Sequence, residues 1–231
     1  VDAGDFLPLD TKSANFDNIA DVQMPSATLV EGYLRAAARI SRIAVGDPRA
    51  APTSATYKVP RTASQMEHAP GAPIGTRGGV SVVHNFLADG PYVFQVMLHS
   101  APEGELYGRT ALNEEIEVSI DGERVAVLAI DRWLTESDPN GMTLATDTIH
   151  VRAGAKRVSA AFVRRFEGPV DDLITPVDHT LADTQIGLGY GVTTLPHLRD
   201  LAIVGPFAAT GVSETSSRRK ILTCRPTAPE E

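Results

Sequence analysis

The apolar residues of the chain change their spacing near residue 46. Between residues 26 and 45 they recur at steps of three and four, which is the period of an amphipathic helix. The positions that follow this period are Leu29, Val30, Tyr33, Leu34, Ala37, Ile40 and Ala44. Ser26 is a suitable N-cap and Gly46 a suitable stop. The pattern therefore predicts a helix over about 26–45.

From Gly79 onward the period changes to two, which is typical of β-strands with one buried face. The stretch 79–98 predicts a hairpin that turns at residues 88–90. In that hairpin Phe86 would lie opposite Tyr92. Its apolar face would consist of Val80, Val82, His84, Phe86, Tyr92, Phe94, Val96 and Leu98.

Two more hairpins and a final strand follow in the same alternating pattern. The Asp121-Gly122 pair suits a two-residue type I′ turn, because both central positions of that turn need positive φ. This turn predicts one side with Ile116, Val118, Ile120, Val125 and Val127, and the opposite side with Glu115 and Glu117. The third hairpin would turn at 153–155 and place Ile149 and Val151 facing Val158, Ala160 and Phe162. The last strand is predicted at about 201–207.

Strands with short turns and a single apolar face need a second sheet to cover them. The predicted fold class is therefore mainly β, an antiparallel jelly-roll-like β-sandwich with an N-terminal helical segment. The predicted units are a helical segment (1–46), a proline-rich connector with a short strand candidate (47–78), the β-sandwich domain (79–210) and a C-terminal extension (211–231). Two long irregular insertions, 134–147 and 168–198, are the expected binding loops.

The amino-acid composition argues against some classes of binding partner. The 231 residues carry a formal charge of −8, with a pI near 5.3. This balance disfavours nonspecific binding to nucleic acid or to anionic membranes, which requires a basic face. No apolar run approaches the ~18 residues of a membrane span.

The glycine cluster Gly75-Thr76-Arg77-Gly78-Gly79 does not fit a phosphate-binding loop. Such a loop leads into a helix and ends in Lys-Ser or Lys-Thr, whereas this cluster leads into a strand. The glycines instead indicate close strand packing or a β-bulge. His84, on the predicted inward face, is interpreted as a core histidine with one hydrogen bond.

No catalytic or haem signature is found. The six histidines show no zinc spacing, and there is no G-x-S-x-G or C-x-x-C-H sequence. The chain is therefore predicted to be noncatalytic and to hold no haem in this segment. Hydrolysis by a triad assembled from distant segments is the third alternative.

The acidic loops suggest a calcium site with hard oxygen ligands. In the first insertion the candidate metal ligands are Asp131, Asp138 and Asp147, and the candidate sugar ligands are Trp133, Asp138 and Asn140. The second insertion offers Asp171, Asp172, Asp178 and Asp183. The alternative interpretations are that the acidic loops are only solvated and that Trp133 fills the core instead of stacking on a sugar.

The two ends of the sequence predict a fragment of a longer chain. It begins at Val1 without an initiator methionine or a signal-like segment, so an internal or processed start is expected. The acidic, proline-rich tail is expected to be loose. Cys224, the one cysteine, is either a free thiol or half of a disulfide with a partner outside this sequence.

Four segments, 16–47, 75–96, 116–128 and 195–226, resemble the central region of planctomycete-type multi-domain proteins of unknown function that carry cytochrome c modules. The resemblance implies a helical segment before a sandwich similar to calcium-dependent, xylan-binding carbohydrate modules. It also implies a periplasmic or secreted location and a partner thiol for Cys224 downstream of this sequence. It assigns no catalytic residue.

The predicted function is a noncatalytic binding module with a polysaccharide as ligand and Ca²⁺ as an aid. The alternative is a docking or scaffold subunit that binds cytochrome c modules or an electron-transfer complex. Sugar binding predicts Trp133 and acidic side chains on one concave, solvent-facing surface. Docking predicts an exposed apolar patch, and an enzyme predicts a nucleophile within hydrogen-bond reach of a histidine.

Overall fold

The computed structural model describes residues 4, 6–8, 26–61, 63–109, 111–165 and 195–224. These residues contain two helices and nine strands, numbered in chain order. The helices are α1 (Ala27–Val45) and α2 (Ser216–Ile221). The strands are β1 (Thr53–Lys58), β2 (Thr76–Phe86), β3 (Gly90–Leu98), β4 (Glu115–Ile120), β5 (Glu123–Ala129), β6 (Thr143–Ala145), β7 (Ile149–Val151), β8 (Gly154–Val163) and β9 (Leu198–Gly205).

The strands form two antiparallel sheets with a shared hydrophobic core. The larger sheet has the order β1-β9-β3, and β6 and β7 pair with different parts of β3. The smaller sheet has the order β2-β8-β4-β5. Side chains with at most 2% exposure come from both sheets and include Phe94, Val96, Leu201, Ile203, Ile116, Val118, Val158 and Phe162. The predicted fold class, a mainly β antiparallel sandwich with an N-terminal helix, is confirmed.

Helix α1 forms where the three- and four-residue period predicts it. The Ser26 hydroxyl accepts a hydrogen bond from the Leu29 amide at 3.1 Å, and Gly46 ends the helix with a φ of 78°. The apolar stripe is nevertheless not covered along its length, since Val30 is 47% exposed and Leu34 is 66% exposed. Among the described residues, no helix is long and apolar enough to cross a membrane.

The β4–β5 hairpin confirms the predicted turn. Asp121 and Gly122 have φ angles of 52° and 86°, and Ile120 pairs with Glu123. A register shift follows between Val118 and Ser119 and changes the face of the later β5 residues. The prediction that Val127 belongs to the core is therefore wrong: Val127 pairs with Glu117 and is 43% exposed. A one-residue bulge moves the side chains beyond it to the other face of the sheet.

The other two predicted hairpins are wrong, although their buried faces are largely correct. Strand β2 pairs with β8 and strand β3 pairs with β9, so β2 and β3 lie in different sheets. Likewise β7 pairs with β3, whereas β8 pairs with β2 and β4. Alternation identifies the apolar face of a strand, but a short connection can cross between layers as well as turn within one. Phe86 and Tyr92 consequently meet across the core at 4.8 Å between ring centroids.

Asp89 secures the crossover between β2 and β3. Its carboxylate accepts hydrogen bonds from the Ala153 amide at 2.6 Å and from the Ser213 amide and hydroxyl at 3.0 and 2.9 Å. Burial alone would raise the pKa of Asp89, but these hydrogen bonds lower it below its ordinary value. One side chain thus connects both crossovers to the segment that leads into α2.

The predicted connector also contributes to the sandwich. Strand β1, which overlaps the short strand candidate, pairs along its length with β9. Strand β2 begins at Thr76, within the glycine cluster. The last strand, predicted at 201–207, spans Leu198–Gly205. The expected loose tail and the second insertion, with Asp171, Asp172, Asp178 and Asp183, lie outside the described residues.

The glycine cluster forms the β-bulge that its sequence indicates. The β2–β8 register shifts between Arg77 and Val80, and Gly78 and Gly79 both have positive φ. A Cβ on Gly79 would lie 2.1 Å from the Ala160 carbonyl oxygen. Glycine is therefore required at this point for the backbones of β2 and β8 to approach each other.

Replacing Gly79 with alanine should destabilise the fold by roughly 2–5 kcal/mol, because left-handed strain and overpacking add at one site. Gly75→Ala is the matched control, since Gly75 also has positive φ but has no atom within 4 Å of an added Cβ. That control should lose only about 1–2 kcal/mol. Urea unfolding followed by circular dichroism measures both variants, and equal losses would contradict the bulge interpretation.

Candidate functional site

A groove of about 460 Å³ lies at one end of the smaller sheet, where β4 begins and β5 and β8 end. The β4–β5 hairpin brings these ends together, since Glu115 pairs with Ala129. The lining residues are Leu112, Asn113, Glu114, Glu115, Ala129, Ile130, Asp131, Arg132, Trp133 and Arg165. The groove therefore combines an aromatic ring with three carboxylates and two guanidinium groups.

Trp133 is 63% exposed at this groove, so the alternative that it fills the core is wrong. The Arg132 guanidinium lies 4.6 Å from the indole centroid and covers one ring face. The Asp131 carboxylate accepts a hydrogen bond from the Trp133 amide at 2.9 Å, which fixes the turn that presents the ring. The ring is thus held at its backbone while most of its surface faces solvent.

Charged pairs give the groove its polar walls. Glu115 forms an ion pair with Arg165 at 2.9 Å, and both side chains are more than one third exposed. Glu114 is more buried and pairs with Arg77 from β2. Carboxylates and guanidinium groups offer several acceptors and donors in fixed directions, as the hydroxyls of a sugar require.

The structure brings only part of the predicted site together. Trp133 and Asp131 share the groove, whereas Asp138, Asn140 and Asp147 do not line it. Asp138 accepts a hydrogen bond from the Thr135 amide at 2.8 Å and so stabilises its own loop. In the described part of the chain, no three His, Cys, Asp or Glu side chains are grouped so that they could hold a metal ion, and Asp131, Asp138 and Asp147 accordingly do not converge.

Five polar groove residues were not among the sequence candidates: Asn113, Glu114, Glu115, Arg132 and Arg165. The Asp121-Gly122 turn already contained the signal for the first three. A hairpin that turns there must place the residues before β4 beside those after β5. Arg165 follows β8, and its position depends on the β4–β8 pairing, which no local pattern predicts.

A second concave feature, a cleft of about 670 Å³, lies between α1 and the sandwich. Helix α1 contributes Arg35, Arg39 and Arg42, and none of the lining residues that the structure describes is Asp or Glu. The opposite wall includes Tyr57 of β1 and His84 of β2. Sequence analysis missed this cleft, because it exists only where the helix lies against the two sheets.

Tyr57 and His84 form a hydrogen-bonded pair in this cleft. The tyrosine oxygen lies 2.8 Å from His84 Nδ1. Burial lowers the pKa of His84 to about 4 and raises the pKa of Tyr57, so both groups are neutral at pH 7. His84 is half-buried and makes the one hydrogen bond expected of it, but it lines a cleft instead of filling the core.

Hydroxyls do lie near histidines, as an enzyme would require. Two contacts among the described residues are the Tyr57–His84 pair and a contact that joins Thr210 Oγ1 to His150 Nε2 at 3.5 Å. A histidine with a pKa of about 4 is a weak base at pH 7, and 3.5 Å is a long distance for a hydrogen bond. Neither pair of residues therefore identifies a catalytic reaction.

Comparison with known families gives one match. Residues 1–46 match the family described as PSD3, protein of unknown function (DUF1587), a family found in cytochrome c-containing proteins. The match includes α1 and ends before β1. No curated protein matches the chain.

The likeness of the chain to solved structures is weak. A family 35 carbohydrate-binding module from Clostridium thermocellum has a TM-score of 0.30 and 13% identity, covering 67% of this chain and 98% of the module. Dimeric latent PorU from Porphyromonas gingivalis has a TM-score of 0.28 and 11% identity, covering 67% of this chain but only 12% of PorU.

The low pKa of His84 predicts a pH-dependent stability. Between about pH 6.5 and 4 the unfolded chain binds the proton more readily than the folded chain. The stability that neutral His84 contributes is therefore complete above pH 6.5 and is lost as the pH falls towards 4. The slope of the unfolding free energy should approach, but not exceed, about 1.4 kcal/mol per pH unit from this group.

His84→Gln should reduce that slope, as measured by urea unfolding between pH 4 and 7. Burial, with Arg61 and Arg199 nearby, also lowers the pKa of His99 to about 4, so part of the slope should remain in this variant. A double variant with His99→Gln should reduce the slope further. An unchanged slope in His84→Gln would show that His84 is protonated equally in both states.

Proposed function

We propose that the chain is a noncatalytic binding module that holds a polysaccharide in the Trp133 groove. The observation that carries this proposal is the 63% exposed Trp133 in a concave surface shared with Glu114, Glu115 and Asp131. This is the arrangement that sugar binding requires, because the apolar face of a pyranose stacks on an aromatic ring while nearby polar groups bind its hydroxyls. The proposal includes a periplasmic or secreted location, where such polymers occur.

A groove of about 460 Å³ is large enough to hold part of a polysaccharide chain. Trp133 and Leu112 on its rim are 63% and 54% exposed, so a polymer can reach it from solvent. The Glu115–Arg165 pair is exposed, so separating it for a ligand costs about 1 kcal/mol or less. Calcium assistance stays a prediction, and no groove residue depends on it in the proposal.

Trp133→Ala should abolish sugar binding, because truncating a central aromatic anchor commonly raises Kd by 10- to 1,000-fold. Binding to xylan, other plant polysaccharides and bacterial polysaccharides is measured by affinity electrophoresis, with Ca²⁺ and with a chelator. Phe207→Ala is the matched control, since Phe207 is 51% exposed and lies outside the groove. The control should bind as the unchanged protein does.

The same experiment has a second readout. Trp133 is the one tryptophan of the chain, so fluorescence excited selectively in tryptophan, and not in the five tyrosines, reports on the groove alone. A sugar that stacks on the indole should change the emission in a saturable manner. Absence of binding to every polysaccharide in both conditions would overturn the proposal.

The second candidate is docking to a protein partner through the exposed face of α1. Val30, Tyr33 and Leu34 are 47%, 40% and 66% exposed on neighbouring turns. Such an apolar stripe on a helix is suited to a partner groove. The partner expected from the sequence is a cytochrome c module or another electron-transfer protein.

The double variant Val30→Glu and Leu34→Glu should abolish docking and leave the melting temperature nearly unchanged, since both residues are already exposed. Binding to purified cytochrome c domains is measured by surface plasmon resonance. Val127→Glu, with 43% exposure on β5, is the control and should bind normally. Equal loss in both variants would indicate a nonspecific charge effect and contradict docking through α1.

A further inference from the structure

The cleft between α1 and the sandwich differs in charge from the rest of the protein. The whole chain has a net charge of −8, yet the charged residues that line this cleft in the described part of the chain are Arg35, Arg39 and Arg42. Positions four and three apart lie on one side of a helix, so all three guanidinium groups face the same space. A cleft of about 670 Å³ is of the size that encloses a small organic ligand.

The arginines are not locked by strong partners. Arg35 pairs with Glu31, and both side chains are at least 60% exposed. Arg42 lies 3.7 Å from Asp47, and the Arg39 guanidinium lies 4.8 Å from the Phe6 ring centroid. The Arg35–Glu31 pair is exposed, and the Arg42–Asp47 contact is long with a half-buried Asp47, so neither holds its guanidinium group strongly and a ligand anion can compete.

The opposite wall adds hydrogen-bond donors. Tyr57 and neutral His84 together carry two polar protons, of which their shared hydrogen bond uses one. Whichever tautomer His84 adopts, one proton of the pair remains for another acceptor. The wall also includes the amide of Asn85 and the hydroxyl of Ser54.

Apolar groups complete the lining. Phe6, Ile43, Tyr57, Val83, Leu87 and Tyr92 contribute rings and aliphatic side chains to the same cleft. We infer that this cleft is a second binding site, which takes a small organic anion: a carboxylate or phosphate group held by the arginines, on an apolar body that packs against these side chains. This inference is independent of the sugar groove, because the two sites share no lining residue.

Isothermal titration with phenyl phosphate and with benzoate tests the inference. Benzyl alcohol is the matched neutral probe, and inorganic phosphate supplies the anion without the apolar body. We expect saturable binding of at least one aromatic anion below about 10 mM, with weaker binding of inorganic phosphate and of benzyl alcohol. The two anion arms distinguish a carboxylate ligand from a phosphate ligand.

Arg39→Gln should weaken binding of the aromatic anion at least about tenfold, because a charge-assisted hydrogen bond is lost. Arg39→Lys keeps the charge and should restore part of the affinity. Arg152→Gln is the control, since Arg152 is exposed on the loop between β7 and β8 and does not line the cleft. Circular dichroism without ligand verifies that each variant is folded.

Three results would overturn the inference: no saturable binding of either anion, equal binding of benzyl alcohol, or equal affinity in Arg39→Gln and Arg152→Gln. Trp133→Ala should bind the anion normally. Loss of sugar binding and loss of anion binding are therefore separate outcomes, and either can fail without the other.

Discussion

The burial of Arg77 is the constraint on which the arrangement of the sheets depends. Its side chain is 7% exposed, donates to the Gln65 carbonyl oxygen at 3.0 Å, pairs with Glu114 and lies 5.0 Å from the Phe162 ring centroid. Removing one partner of such a pair leaves a buried charge unmatched, which is strongly destabilising. The Gln65 side chain in turn accepts from the Gly79 and Leu198 amides. The connector, β2, β4 and β9 are thereby fixed to one another by a single polar network.

The sequence predicted the layers of the fold better than their connections. The helix, the type I′ turn and the glycine bulge were predicted correctly because each depends on a few neighbouring residues with a definite backbone preference. The hairpin at 79–98 and the hairpin with its turn at 153–155 were predicted wrongly, because alternation does not reveal which strand lies next to which. Asp89, which secures both crossovers, is an ordinary loop aspartate until Ala153 and Ser213 are placed beside it. The pairing of strands that are distant in sequence is set by the tertiary structure, and local residue preferences do not predict it.

The candidate site likewise contains residues that local sequence could predict and residues that only long-range packing brings in. Trp133 and Asp131 could be selected from the sequence because they lie at the edge of a predicted insertion, and the groove contains both. Asp138 and Asn140 were selected for their chemistry alone, but Asp138 binds the backbone of its own loop. The position of Arg165 at the groove depends on the β4–β8 register. The cleft lined by the arginines of α1 depends on where the helix lies relative to the two sheets. The prediction that a residue belongs to a site is therefore more reliable when a predicted turn also determines which residues lie beside it.

Helix α1 and the segment around α2 meet at one corner of the molecule. The Arg218 guanidinium donates to the Val45 carbonyl oxygen, and the Asp47 amide donates to the Leu87 carbonyl oxygen at 2.7 Å. A mechanical load applied between α1 and α2 would therefore act first on these few contacts and would bypass the strands of both sheets. The corner would yield under tension before the sandwich begins to unravel, so the groove at the end of the smaller sheet would keep its shape, whereas the cleft lined by α1 would open.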